Sequence, residues 1–182
     1  MNCPISSRSI RFGFASRWIP WVGLICLCLQ FSLFLGSARE PDAVFNVWPG
    51  KPPGDLVIAG PERKVEGRPR PFYQLTGISV PSVSVFLPPA GKRNGTAVLV
   101  CPGGGLQRVA LEHEGLEMAD ALTAMEYSVF VLKYRAPAPA LEASRDAQRA
   151  LSHIRQHAAD WAIDPTSIGV LGFSAGGEIA AW

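Results

Sequence analysis

The chain has 182 residues, 48% of them hydrophobic and 18% charged, with a formal net charge of +2. That composition supports one globular domain with a real core and excludes a disordered, collagenous or disulfide-built chain. Three of the 17 basic residues and none of the 15 acidic ones lie before Arg39, so the remainder carries 14 basic against 15 acidic residues, a net charge of −1. Nucleic acid is therefore not an implied partner.

Residues 1–38 read as a secretory leader. Arg8, Arg11 and Arg17 precede an uncharged stretch from Trp18 to Ala38, and Gly36, Ser37 and Ala38 place small residues where a signal peptidase would cut before Arg39. The alternative is a retained membrane anchor, since a bilayer takes about 20 apolar residues, although Pro20 and Gln30 interrupt the run. Neither Cys26 nor Cys28 follows the small residues of a lipid-attachment site. Cleavage would leave Cys101 as the single cysteine of a secreted or periplasmic chain with no internal disulfide.

Residues 39–77 form a Pro-rich entry segment. Its short apolar runs, Val44 to Trp48 and Leu56 to Ala59, predict one or two edge strands. From residue 78 the pattern becomes regular. Ile78 to Leu87 alternates and predicts a strand, followed by turn residues from Pro88 to Gly95. The nearly continuous apolar runs Ala97 to Cys101, Tyr127 to Tyr134 and Ile168 to Phe173 predict strands buried on both faces of a parallel sheet. Between them lie two helical stripes, Leu111, Gly115, Met118, Leu122 and Met125, then Ala147, Leu151, Ile154, Ala158 and Trp161. A last helix begins near Ala175. Such alternation predicts an α/β fold, a mostly parallel sheet flanked by helices.

The chemistry concentrates at two glycine clusters. Gly172, Phe173, Ser174, Ala175 and Gly176 match G-x-S-x-G at the end of a predicted strand and the start of a helix, the context of a nucleophile elbow that lifts a serine hydroxyl above the sheet. A serine nucleophile needs donors for the oxyanion formed on attack. Cys101, Pro102, Gly103, Gly104 and Gly105, directly after another strand, offer close-approaching backbone N–H groups for that purpose.

The ordered set C-P-G-G-G, L-K-Y-R at Leu132 to Arg135, D-A-Q-R-A-L at Asp146 to Leu151 and I-D-P-T-S-I-G-V-L-G-F-S-A-G-G at Ile163 to Gly177 resembles the α/β-hydrolases similar to bacterial feruloyl and acetyl-xylan esterases and the neighbouring hormone-sensitive-lipase-like group. The resemblance runs from Val44 to Trp182. It implies an α/β-hydrolase fold truncated after the nucleophile elbow, with residues 78–182 as the N-terminal part of the domain. It further implies serine ester hydrolysis of small-molecule or polysaccharide esters, with no metal or organic cofactor. Ser174 would be the nucleophile, and the N–H groups of Ala175, Gly104 and Gly105 the oxyanion donors. Pro102 stands where the lipase-like relatives have His, a lean toward the carbohydrate-esterase branch. Two other readings compete: a serine peptidase of the prolyl-oligopeptidase type, and a non-catalytic remnant retained on a membrane by an uncleaved leader.

In this fold the triad runs Ser, then Asp or Glu, then His, and eight residues follow Ser174. The acid and the base are expected beyond Trp182, and a 182-residue product is expected to be unstable or inactive, with an apolar strand edge exposed. His113, His153 and His157 all precede the serine. The last two read as a solvated helix surface rather than a metal site, because H-I-R-Q-H lacks the glutamate of a zinc-protease helix. Cys101 ends a buried strand and reads as a packed thiol. Asp146 and Arg155, nine residues apart on one helix, fall on different faces and should each contact neighbouring segments.

Overall fold

A computed structural model describes residues 39–67 and 72–182; the expected leader, residues 1–38, lies outside the described residues. Seven strands are present among the described residues: β1 (Ala43–Asn46), β2 (Arg63–Glu66), β3 (Tyr73–Thr76), β4 (Ser82–Phe86), β5 (Ala97–Cys101), β6 (Ser128–Lys133) and β7 (Ile168–Gly172). Among the same residues three α-helices follow or separate them, α1 (Glu117–Ala124), α2 (Ala140–Gln156) and α3 (Ala175–Ala180).

Five strands form one sheet in the order β1-β4-β6-β5-β7, and β2 and β3 pair separately as an antiparallel hairpin. The expected parallel core is present: β5 runs parallel to β6 from Ala97↔Ser128 to Val100↔Val131, and parallel to β7 from Ala97↔Ile168 to Cys101↔Gly172. The first two strands add antiparallel pairings, β1 on β4 and β4 on β6. Because β5, β6 and β7 are parallel, the loops after all three leave the same edge of the sheet.

Both faces of the central strands are covered, which is why β5 and β6 read as unbroken apolar runs. One face, with Leu99, Phe130, Leu132 and Tyr134, packs on Ala143, Ala147, Ala150 and Ile154 of α2 and on Ile179 of α3. The other, with Val100, Val129 and Val131, packs on Ala119 of α1 and on Leu111, Leu116 and Leu122. Fully burying a side chain such as Phe130 or Leu132 stabilises the fold by about 1.5–3 kcal/mol each.

The structure departs from the sequence pattern at six places. The expected strand from Ile78 begins only at Ser82. Pro81 has no N–H to give a ladder, Gly77 has φ +74, and Ile78 forms a single bridge to Ala136. The run Leu56 to Ala59 is not a strand, while the hairpin β2–β3 went unforeseen because R-K-V-E and Y-Q-L-T are mostly polar or exposed. The first helical stripe shifts because its opening is a wide five-residue π turn, Glu112–Leu116. Gly115 keeps its place facing the sheet and Leu111 and Leu122 pack beside it, but Ala119 and Thr123 take the other buried positions and Met125 is 63% exposed. Strand β7 pairs only with β5 among the described residues. It is therefore not buried on both faces, and Val170 is 40% exposed. Finally, His153 is half-buried rather than solvated: its ring stacks 4.4 Å from Phe45 of β1 and 4.4 Å from His157.

The entry segment is fastened by one buried ion pair. Asp146 of α2 accepts the Arg135 backbone N–H at 3.0 Å and faces its guanidinium, Nη2 to Oδ1 at 2.9 Å, with both residues buried. Trp48 donates its indole N–H to the same carboxylate at 2.8 Å, and Arg135 donates onward to the carbonyls of Pro53 at 2.9 Å and Glu142 at 3.0 Å. Asp146 thus contacts neighbouring segments, as its helix face requires, and Arg155 is exposed.

Candidate functional site

Strand β7 ends at Gly172 and α3 starts at Ala175, so the chain reverses within Phe173 and Ser174. Ser174 takes φ +49 and ψ −119, a conformation that costs a non-glycine residue of order 1–3 kcal/mol and persists only where its surroundings enforce it. Those surroundings explain the flanking glycines. A Cβ on Gly172 would lie 2.2 Å from the Gly176 carbonyl oxygen, and one on Gly176 would lie 1.9 Å from the Cys101 carbonyl oxygen. The turn is closed by Gly176 N–H to Phe173 O at 2.7 Å and Gly177 N–H to Ser174 O at 2.9 Å, and anchored by Phe173 N–H to Cys101 O at 3.1 Å. Ser174 itself is exposed.

The loop after β5 meets this elbow at Gly103. A Cβ there would stand 2.7 Å from Phe173 O and 3.1 Å from Ser174 Cβ. Its carbonyl accepts Ala110 N–H at 2.9 Å, and its N–H donates to Glu114 Oε2 at 2.7 Å. Gly104, at φ +134, curls the chain so that its own carbonyl accepts Gln107 and Arg108 N–H at 3.2 and 3.1 Å. Among the described residues, the N–H groups of Gly104, Gly105 and Ala175 have no intrachain acceptor. The Ala175 N–H is free because it opens a helix.

The loop is held from behind by the hairpin that the sequence did not reveal. Leu75 and Val109 exchange backbone hydrogen bonds at 2.9 and 2.8 Å, Thr76 donates its hydroxyl to Gln107 O at 2.9 Å, and Tyr73 N–H donates to Glu112 Oε2 at 2.5 Å. On its other side, Ala138 N–H donates to Leu106 O at 3.0 Å. A groove lined by Gly105, Leu106, Gln107, Pro137, Ala138 and Pro139 opens between these two loops.

Neighbouring titratable groups are inert or remote. Burial pushes the Cys101 thiol up to about 12, so it is neither thiolate nor nucleophile near neutral pH. Burial, with Cys101 and Glu114 adding, also pushes the Tyr134 phenol up, and its hydroxyl lies 3.4 Å from Arg108 O. Ser174 Oγ makes no hydrogen bond among the described residues, so none of His113, His153 or His157 is bonded to it. Asp164 and Thr166 of the I-D-P-T-S-I motif serve the turn into β7: Thr166 N–H and Oγ1 donate to Asp164 Oδ1 at 2.8 and 2.6 Å. Those bonds hold the Asp164 carboxyl below its usual range. Glu114 escaped sequence reasoning, since a lone carboxylate in E-H-E-G carries no local signature.

The BD-FAE family model matches residues 83–182, more than half of the chain. The acetylxylan esterase of Xylanibacter ruminicola is 33% identical over 89 residues, 48% of this chain and 18% of that protein. The acetyl ester-xyloside bifunctional hydrolase of Caldicellulosiruptor lactoaceticus superposes with a TM-score of 0.61 at 29% identity, over 80% of this chain and 47% of that one. An esterase of Thermogutta terrifontis superposes at 0.50 with 24% identity, over 56% of this chain and 38% of that one, a likeness of fold. The chain thus spans about a fifth of the first relative and about half of the second. With its parallel β5–β6–β7 core, flanking helices and strained serine turn, it has the α/β-hydrolase fold and belongs to the BD-FAE family.

Proposed function

We propose that the chain is the nucleophile-bearing part of a serine ester hydrolase that deacylates esterified sugars or polysaccharides through an acyl-enzyme. The observation that carries this reading is Ser174 at positive φ on a turn that no side chain but glycine fits on either side, with the Gly103 backbone packed against its Cβ. Strain of this kind needs a use. Ser174 Oγ attacks the ester carbonyl, and the charge that develops on its oxygen is met by the N–H groups of Gly104, Gly105 and Ala175. Collapse expels the sugar hydroxyl, and water then releases the acid from Ser174.

Each step needs a base to take a proton and return it. The described residues bring none to Ser174, and we assign the histidine and its orienting acid to residues outside 39–182, in the order this fold uses. The carbohydrate assignment leans on the acetylxylan esterase and the acetyl ester-xyloside hydrolase that this chain resembles. The groove between Gly105 and Pro139, beside the free N–H groups, is where we seat part of the substrate. Residues 1–38 are assigned as a secretory leader, which suits a polymeric substrate outside the cell.

Acetate release from acetylated xylan by the full-length gene product tests this reading. Activity that disappears in Ser174→Ala, together with turnover of a nitrophenyl acetate but not of a proline amide, is the expected result. Proline-amide cleavage would move the chain to the peptidases, and undiminished activity in Ser174→Ala would remove the serine from the chemistry.

A further inference from the structure

We propose that Glu114 is a positioning residue for the oxyanion loop: its carboxylate, carried on the wide turn Glu112–Leu116, fixes the Gly103 peptide and so sets the direction of the Gly104 and Gly105 N–H groups. This rests on the reading of Ser174 as the nucleophile.

Glu114 Oε2 accepts the Gly103 N–H at 2.7 Å, the length of a charge-assisted bond. The side chain is 23% exposed, so water competes weakly for the same oxygen. Gly103 is closely packed on three sides, with a would-be Cβ 2.9 Å from Glu114 Oε2, 2.7 Å from Phe173 O and 3.1 Å from Ser174 Cβ. Carboxylate, elbow and loop converge there without space between them. The Gly103 carbonyl is fixed by Ala110, so both polar groups of the residue are committed and the next two N–H groups remain free. Glu114 is itself held: its backbone N–H donates to Ala110 O at 3.2 Å, and Oε1 lies 3.5 Å from His113 Nε2, whose ring sits 4.0 Å from that of Phe72.

A carboxylate behind an oxyanion site is electrostatically adverse, because like charges repel across a poorly solvated gap. A residue with no role there would therefore be better neutral. The geometry favours a net benefit, since the charge is spent on Gly103 N–H and faces His113, while the free donors lie on the following peptides. Holding donors rigid before charge develops is the largest single contribution to such catalysis in many enzymes.

The test compares Glu114→Ala and Glu114→Gln in the full-length gene product, reading ester turnover and the Gly103 amide by 1H–15N NMR. The glutamine carbonyl can still accept the Gly103 N–H. We expect Glu114→Ala to lower kcat about 10- to 100-fold with KM changed less than about threefold, and Glu114→Gln to recover most of that loss. The Gly103 amide proton is expected far downfield in the native protein, shifted upfield in Glu114→Ala and restored in Glu114→Gln. A Glu114→Ala enzyme within about twofold of native kcat, or a Glu114→Gln enzyme no better than Glu114→Ala, overturns the proposal. If Ser174→Ala retains turnover, the reading of the site fails first. An unmoved Gly103 amide in Glu114→Ala then rejects the positioning role separately.

Discussion

Replacing Asp146 by alanine tests how the entry segment is held to the hydrolase core. In the native protein this fully buried carboxylate answers the Arg135 guanidinium, the Arg135 backbone N–H at 3.0 Å and the Trp48 indole at 2.8 Å. Its removal leaves an arginine that is 3% exposed with only the Glu142 carboxylate, 3.3 Å from Nη2, to answer its charge, and strips the Arg135 backbone N–H and the Trp48 indole of their acceptor. Breaking one side of a buried pair costs about 3–5 kcal/mol, far more than losing a surface ion pair at roughly 0–1 kcal/mol. For a domain of this size that corresponds to a drop in Tm of about 10 °C or more. Thermal unfolding followed by circular dichroism reads it directly. The pair Arg135→Met with Asp146→Leu, which removes both charges, should unfold at a higher temperature than Asp146→Ala alone. A shift below about 3 °C in Asp146→Ala, or a double variant less stable than the single, would refute the buried-charge argument.

Gly176→Ala places a Cβ 1.9 Å from the Cys101 backbone oxygen, where nothing flexible can yield, whereas Gly177→Ala meets nothing closer than 3.5 Å. Denaturant unfolding should show a loss of at least about 3 kcal/mol for the first and less than about 1 kcal/mol for the second. Cys101, fully buried with its thiol pushed up to about 12, should stay silent to a thiol reagent in the folded protein and react fully on denaturation. His153 has its pKa lowered from 6.5 by burial, then by His157 and Arg149, so the folded state prefers the neutral ring. Stability is therefore full above the unfolded value and declines as pH falls through it. Melts in that window should show the decline, and His153→Phe, which keeps the stack on Phe45, should flatten it.

The parts of the molecule that the sequence disclosed are those where one physical rule acts alone. Strands β5 and β6 are buried on both faces, so their apolar runs have no competing reading. Ser174 announced itself because two tight contacts, Gly172 on Gly176 and Gly176 on Cys101, admit only glycine. What stayed hidden depends on partners distant in the chain. Strands β2 and β3 are short and carry mostly polar residues, with Leu75 alone of them in the core, and they pair with each other and with the loop at Gln107 to Val109. Glu114 acquires meaning only when the wide turn brings it to Gly103, eleven residues earlier. His153 read as surface because its cover, Phe45, belongs to the entry segment a hundred residues away.

The account stands or falls on whether Ser174 is nucleophilic. Treating the full-length gene product with a fluorophosphonate and mapping the adduct by peptide mass spectrometry addresses this without choosing a substrate. A single adduct on Ser174, absent from Ser174→Ala and slowed in Glu114→Ala, is the predicted result. An active esterase whose Ser174 stays unmodified while another residue is labelled would contradict it.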